Sequence, residues 1–252
     1  MKVTIVTLFP KMLTGFFAES IVKRAIEKKL VEIEIVNLRR FALDAYGAVD
    51  DRPYGGGAGM VLRVDILRAA LDSITAKEKT VLTSVKGPVF THKKAVEYAK
   101  LKHLVIIAAH YEGVDERVLG AVDEEISMGD FVMTGGEIAA AAIVDAVVRL
   151  IPGVLKKGEA TQNESFCTVN LDSLIKITGE DNTLANLKAK GNEEITLLEY
   201  PQYTRPEDCR GQKVPAVLLS GDRKKIGEWR LKMAFEETKK KRPDLLEMIL
   251  KK

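Results

Sequence analysis

The chain has little of what most nucleophilic or metal chemistry requires. Among its 252 residues are two cysteines and three histidines. Cys167 and Cys209 lie 42 positions apart with no CxxC and no histidine beside them, so neither a zinc site nor a disulfide framework is indicated. No metal site is expected. No run of about 18 consecutive apolar residues occurs, and MKVTIVTLFPKM at the N-terminus lacks a small-residue cleavage site. A soluble, cytoplasmic protein with no membrane partner is the expectation. The Walker pattern is missing, and GxGxxG fails because the register Gly55, Gly57 runs into Met60. There is no GxSxG elbow for a serine nucleophile, and a nicotinamide dehydrogenase lacks its fingerprint. Of the histidines, His92 and His103 read as helix-start and strand-edge residues, leaving His110 in a candidate loop.

Charge of one sign is also scarce overall, with 39 Lys and Arg against 36 Asp and Glu, but the balance is uneven. From Asp222 onward 11 basic residues face 6 acidic ones, so the tail is basic and the body slightly acidic. A basic terminal segment suits nucleic acid, and the alternative is a solvated helical face.

Hydrophobic residues make up 46% of the chain, enough for one large domain with a small companion. KVTIVTL (2 to 8) and VEIEIVNL (31 to 38) alternate as strands, and Lys11 to Leu30 has helical spacing after Pro10. A helix at 64 to 74, strand TVLTSV (80 to 85), helix at 92 to 101 and strand HLVIIAA (103 to 109) continue a βαβα order. Such an order predicts an open α/β domain whose buried, parallel strands are covered by helices. Ligands then sit beyond the carboxyl ends of the strands. Three glycine-containing segments follow strands and should converge there: SVKGP (84 to 88), AAHYEGVDERV (108 to 118) and SMGDFVMTGGE (127 to 137). The Ala-rich EIAAAAIVDAVVRL that follows reads as a buried helix stopping at Ile151-Pro152-Gly153. A pocket of glycine-loop backbone with few catalytic side chains suits a flat adenine ring with a small polar tail. The chemistry would then belong to the cofactor. Residues 156 to 200 have weak periodicity and read as a linker with a short helix-like piece, NTLANLKAK, between Gly179 and Gly191; VPAVLL onward reads as a short strand and two amphipathic helices parted at Arg242-Pro243.

DDRPYGGGAGM (50 to 60), HYEGVDERV, ISMGDFVMTGGE, RLIPGVL, YTRPE and VPAVLLSGD occur in the order in which they occur in bacterial tRNA (guanine-N1-)-methyltransferases of the SPOUT superfamily, which this chain resembles nearly end to end. Residues 167 to 199 are the least alike. The resemblance implies a trefoil-knotted, mainly parallel α/β domain at 1 to 160, a flexible linker with an insertion at 161 to 200, and a small, mostly helical tRNA-binding domain at 201 to 252. It also implies a homodimer that moves a methyl group from S-adenosylmethionine to N1 of guanosine 37 in tRNA, next to the anticodon. A divalent-cation requirement is not legible in the residues.

Carried over by position, the resemblance assigns the cofactor to Thr83, Ser84, Val85 and Gly87, to Ala109, Tyr111, Glu112 and Gly113, and to Ser127, Met128, Gly129, Asp130, Phe131, Val132, Met133, Gly135 and Gly136. The N1 proton needs a base. The family has an aspartate before Ser-Phe, and TQNESF supplies Glu164 there, one methylene longer. Arg149 would stabilise charge developing on guanine O6, or else cap its helix. Asp51, Arg52, Arg205, Arg223, Lys224, Lys225 and Arg230 are the tRNA-contact candidates, and Trp229 reads as core. His110 stands where the family usually has arginine, Ala108-Ala109 replaces Cys-Gly, and SVKG replaces Ser-Pro-Gln-Gly. The departures at His110 and Glu164 motivate a rival reading, a catalytically weakened RNA-binding protein of the same fold. The glycines of the 50 to 60 stretch are expected to let backbones approach closely near a dimer interface, helping to shape the site and receive RNA.

Overall fold

A computed structural model describes residues 1–156, 164–179 and 181–247. The chain divides into two compact units, Met1–Gly158 and Glu159–Lys252.

In the first unit β1 (Lys2–Thr7) leads through α1 (Lys11–Phe17) and α2 (Ser20–Glu27) to β2 (Glu32–Asn37). The short strands β3 (Asp50–Asp51) and β4 (Val61–Leu62) pair antiparallel across the glycine cluster. Then come α3 (Val64–Ser73), β5 (Lys79–Thr83), α4 (His92–Tyr98), β6 (His103–Ile107), β7 (Glu124–Ile126) and α5 (Glu137–Val148). The main sheet runs β2-β1-β6-β5-β7 with every neighbour parallel. β6 is buried at all five residues, as a central parallel strand must be when helices cover both faces. Its alternate side chains feed two cores: Leu104 and Ile106 join Val3, Ile5, Leu13 and the α5 residues Ile143 and Val147, while Val105 and Ile107 join Val6, Leu62, Ile66 and Leu71. Each such aliphatic side chain, fully buried, contributes about 1.5–3 kcal/mol. β2 sits at the edge, and its alternating exposure matches the alternation of EIEIVN.

The helix expected over 11 to 30 is two helices. Ala18 N–H caps α1 on the Gly15 carbonyl at 3.3 Å, and Ser20, at φ 58°, turns the chain before α2. Both pieces still bury the apolar face that the spacing predicted, through Leu13, Phe17, Val22 and Ala25.

The second unit contains β8 (Cys167–Asn170), α6 (Leu171–Thr178), α7 (Asn182–Ala189), β9 (Glu194–Leu197), β10 (Asp208–Cys209), β11 (Gln212–Lys213), α8 (Ala216–Leu219), α9 (Arg223–Lys241) and α10 (Asp244–Glu247). The stretch expected as linker, 161 to 200, is therefore structured over most of its described residues; 161–163 and Glu180 lie outside them. β8 and β9 pair antiparallel, and Leu171, Leu174, Leu184 and Leu187 share a core with Ile195, Leu197 and the α9 residues Ala234 and Phe235. α6 and α7 are eight residues each and bury two leucines apiece; α7 falls on the helix-like NTLANLKAK, while α6 is too short a run for the 3.6-residue period to stand out in sequence. The strand expected at VPAVLL is instead the one-turn α8, since Pro215 presets a helical start and its carbonyl accepts from Leu218 N–H at 2.9 Å.

Candidate functional site

β6, β5 and β7 are adjacent in the sheet, so the segments leaving their carboxyl ends meet. Thr83, the last residue of β5, ties two of them together: its hydroxyl donates to the Ile107 carbonyl at 3.1 Å and accepts from Ala109 N–H at 3.2 Å. Ser84 N–H donates to the Ile126 carbonyl at 2.9 Å, and Phe90 N–H to that of Ser127 at 2.8 Å. The third segment closes back on the second, with Gly136 N–H donating to the Ala109 carbonyl and a short bridge joining His110 to Gly135. Glycine is required where these backbones touch. A Cβ on Gly87 would lie 2.5 Å from the Glu125 carbonyl carbon, and one on Gly136 would lie 2.8 Å from Ala109 N and closer still to the Thr83 hydroxyl.

The three segments enclose a cavity of about 290 Å³, near the lower end of the range of about 300–1,000 Å³ usual for small-molecule sites. Of the seventeen residues assigned above to the cofactor, all but Gly87, Gly129 and Asp130 line it. Gly87 and Gly129 act from behind the wall. Gly129 holds a φ of +145° while its N–H and carbonyl both engage the Ser127 hydroxyl, at 3.1 and 3.0 Å. The cavity also takes in Lys86, His110, Val114 and Glu116 from the same segments, and Leu82, Leu119, Glu125, Ile126 and Ala139 from outside them. Tyr111, at φ 59°, and Val85, Phe131 and Val132 present apolar surface that is partly open to solvent.

Beside the cavity the glycine cluster is anchored through the same loop. Glu112 N–H donates to the Met60 carbonyl at 3.0 Å, Leu62 N–H to the Gly113 carbonyl at 2.9 Å, and Asp115 N–H to the Leu62 carbonyl at 3.0 Å. Within this protomer a Cβ on Gly59 would collide with the Glu112 side chain, whereas Gly55 and Gly56 have nothing within 4 Å and Gly57 only Pro53 Cγ at 3.8 Å. Those three have positive φ, so the chain uses them for turn geometry within this protomer.

Beneath the wall lies a residue that sequence reading missed. Glu137, the first residue of α5, is fully buried, yet its carboxylate is partnered: it accepts from the Thr7 hydroxyl at 2.9 Å and lies 3.2 Å from His110 Nδ1. The signal was a single carboxylate opening the otherwise apolar EIAAAAIV. Downstream of the cavity, the Asp115 carboxylate accepts from Arg117 Nη2 at 2.7 Å and from its Nε and backbone N–H, which lowers its pKa to about 2.

The remaining assigned residues are carried by other elements. Arg149 caps the far end of α5, about 18 Å of helix from Gly136. Glu164 belongs to the second unit, where its carbonyl accepts from Cys167 N–H at 3.2 Å. Asp51 is in β3, and its carboxylate accepts from Arg52 N–H at 2.7 Å. In the second unit, Arg205 and Arg230 line a groove with Tyr200 and Tyr203, and the Arg230 guanidinium stands 4.9 Å over the Tyr200 ring. Trp229 is half-buried, with its ring 6.2 Å from that of Tyr203. Arg223, Lys224 and Lys225 form the first turn of α9, whose cap is the Asp222 carboxylate. Among the described residues no helix is long and apolar enough to cross a membrane, and no group of three His, Cys, Asp or Glu could hold a metal ion.

The fold and site thus define a parallel α/β domain with a small-molecule cavity in the crevice beyond its strands, attached to a basic helical unit. A family model described as tRNA (Guanine-1)-methyltransferase TrmD matches residues 1–248. A protein of Geobacter sp. (strain M21) named tRNA (guanine-N(1)-)-methyltransferase is 47% identical over 253 aligned positions, covering 99% of this chain and 91% of its own. Proteins of the same name from Dictyoglomus turgidum and Bacillus cereus (strain AH820) are each 45% identical, covering 98% of this chain and 90% and 92% of theirs. The chain belongs to the tRNA (guanine-1)-methyltransferase TrmD family.

Proposed function

We propose that this chain is a tRNA (guanine-N1)-methyltransferase that transfers a methyl group from S-adenosylmethionine to guanosine 37, working as a homodimer in the cytoplasm. The observation that carries the reading is the cavity beyond β5, β6 and β7, walled by backbone and by glycines whose Cβ atoms would collide. Exposed N–H and carbonyl groups there suit an adenine edge, and the apolar Tyr111, Phe131 and Val132 suit its faces. The trefoil knot belongs to this reading through the family fold.

When bound, S-adenosylmethionine supplies an electrophilic methyl group. Glu164 takes the N1 proton of guanine as the new N–C bond forms, and Arg149 holds the charge that builds on O6. Arg149, at the end of α5 opposite the cavity turn, suits a site completed by a second copy. Met12 and Phe16 on α1 and Ile138 on α5, two helices that pack together, are apolar side chains left exposed for that copy. The second unit grips tRNA. Three cations in the first turn of α9 oppose the positive end of the helix dipole, a placement that favours a phosphate ligand over helix stability. Arg205 and Arg230 extend that surface, and Asp51 and Arg52 approach the RNA from the first unit.

The test is incubation with unmodified tRNA and S-adenosylmethionine followed by primer extension, since a methyl on N1 stops reverse transcriptase. A stop at guanosine 37 is expected. Glu164→Gln should lower turnover by roughly 10²–10⁴-fold, the usual contribution of a positioned base, with S-adenosylhomocysteine affinity unchanged. Bound tRNA without a stop would instead support the RNA-binding protein that has lost catalysis.

A further inference from the structure

We propose that His110 and Glu137 form a positioning pair that fixes the shape of the cofactor cavity, His110 from within its lining and Glu137 from behind it. Glu137 is a fully buried carboxylate, and such a group is retained only where its oxygens are engaged. Its two oxygens are shared between segments far apart in sequence, the Thr7 hydroxyl at the end of β1 and His110 Nδ1 in the loop after β6. Glu137 itself opens α5 directly after the Gly135–Gly136 turn, where the helix N-terminus also favours an anion. One carboxylate therefore joins β1 to two of the three cavity segments.

The imidazole is held as firmly as the carboxylate. Its ring centroid lies 4.5 Å from that of Phe9 and 4.9 Å from that of Tyr111, which meets it edge-on. A Cβ on Gly135 would strike both His110 and the Glu137 carboxylate, so the turn is seated directly against the pair. His110 lines the cavity and is 16% exposed at its side chain, against 1% for Glu137. The pair thus transmits a buried anchor to the left-handed Tyr111 and to the Gly135–Gly136 turn, the two surfaces a ligand would touch. A change at either residue moves both.

The inference rests on the cavity being the cofactor site, and calorimetry with S-adenosylhomocysteine separates the two. If the wild-type protein does not bind it, the cofactor reading fails first. If it binds, His110→Ala and Glu137→Gln should each weaken affinity by about tenfold or more, the scale of one charge-assisted hydrogen bond. His110→Asn, whose amide can donate from near the Nδ1 position, should recover affinity to within about threefold of wild type. The double variant His110→Ala with Glu137→Gln should bind no more weakly than the worse single variant, because a pair that acts as one unit is lost once. Fully additive losses, or unchanged affinity in His110→Ala accompanied only by a lower unfolding temperature, would overturn the proposal. Should Glu137→Gln fail to fold, the contrast between His110→Ala and His110→Asn decides alone.

Discussion

Two glycine-rich regions lie side by side in the first unit and use glycine for opposite reasons. Around the cavity, Gly87 and Gly136 have ordinary backbone angles but no room for a methyl group, because another backbone runs where the Cβ would be. In the 55–57 stretch the angles are left-handed while the surrounding space is open. The first use builds a wall by close approach, and the second only bends a chain. Gly59 combines both, with φ +82° and the Glu112 side chain in its Cβ position. It is the point where the bend meets the wall.

Substitutions should separate these uses in order of effect. Gly136→Val puts three carbons into the space of Thr83 and Ala109 N, an overpacking worth about 1–3 kcal/mol or more, and should abolish measurable S-adenosylhomocysteine binding. Gly59→Ala adds left-handed strain of about 1–2 kcal/mol and pushes Glu112 aside. It should weaken cofactor binding by roughly tenfold, read by calorimetry, with the fold retained. Affinity equal to wild type in Gly59→Ala would show that the bend and the wall are independent.

The smallest effect is expected at the far end of the same wall segment, which is stiffened by a side chain instead of glycine. Bonds from Arg117 lower the folded Asp115 pKa to about 2, below the ordinary value of about 3.9. Its contribution is therefore fully present above about pH 4 and is lost as pH falls through about 2. Arg117 is largely exposed, so solvent screens the pair and its effect on stability is small. Asp115→Asn should lower the unfolding midpoint slightly at neutral pH and match wild type near pH 2. A gap that persists unchanged at that pH would assign the effect to the capping geometry and not to the charge.

What sequence could foretell follows the same division. The wall was legible because glycines directly after apolar runs mark strand ends, and parallel topology forces such ends together. The partnership of Thr7, His110 and Glu137 was not, since it joins residues up to 130 positions apart through side chains that carry no spacing rule. The bend was not legible either, because glycine in sequence does not distinguish positive φ from close approach. In the second unit α7 was legible as a short helix-like piece but α6 was not, so 161–200 read as a linker with an insertion, and only the pairing of β8 with β9 and the face of α9 complete that core. Glu164 and Arg149 are assigned by resemblance alone, because no spacing rule ties either of them to the three glycine segments.

The central claim is that the cofactor binds in the cavity beyond β5, β6 and β7 and not at the glycine-rich loop. Titrating S-adenosylhomocysteine into wild type, Gly136→Val and Gly56→Ala measures it directly. Binding to wild type and Gly56→Ala with none to a folded Gly136→Val is the predicted result. Binding that survives in Gly136→Val and disappears in Gly56→Ala would contradict it.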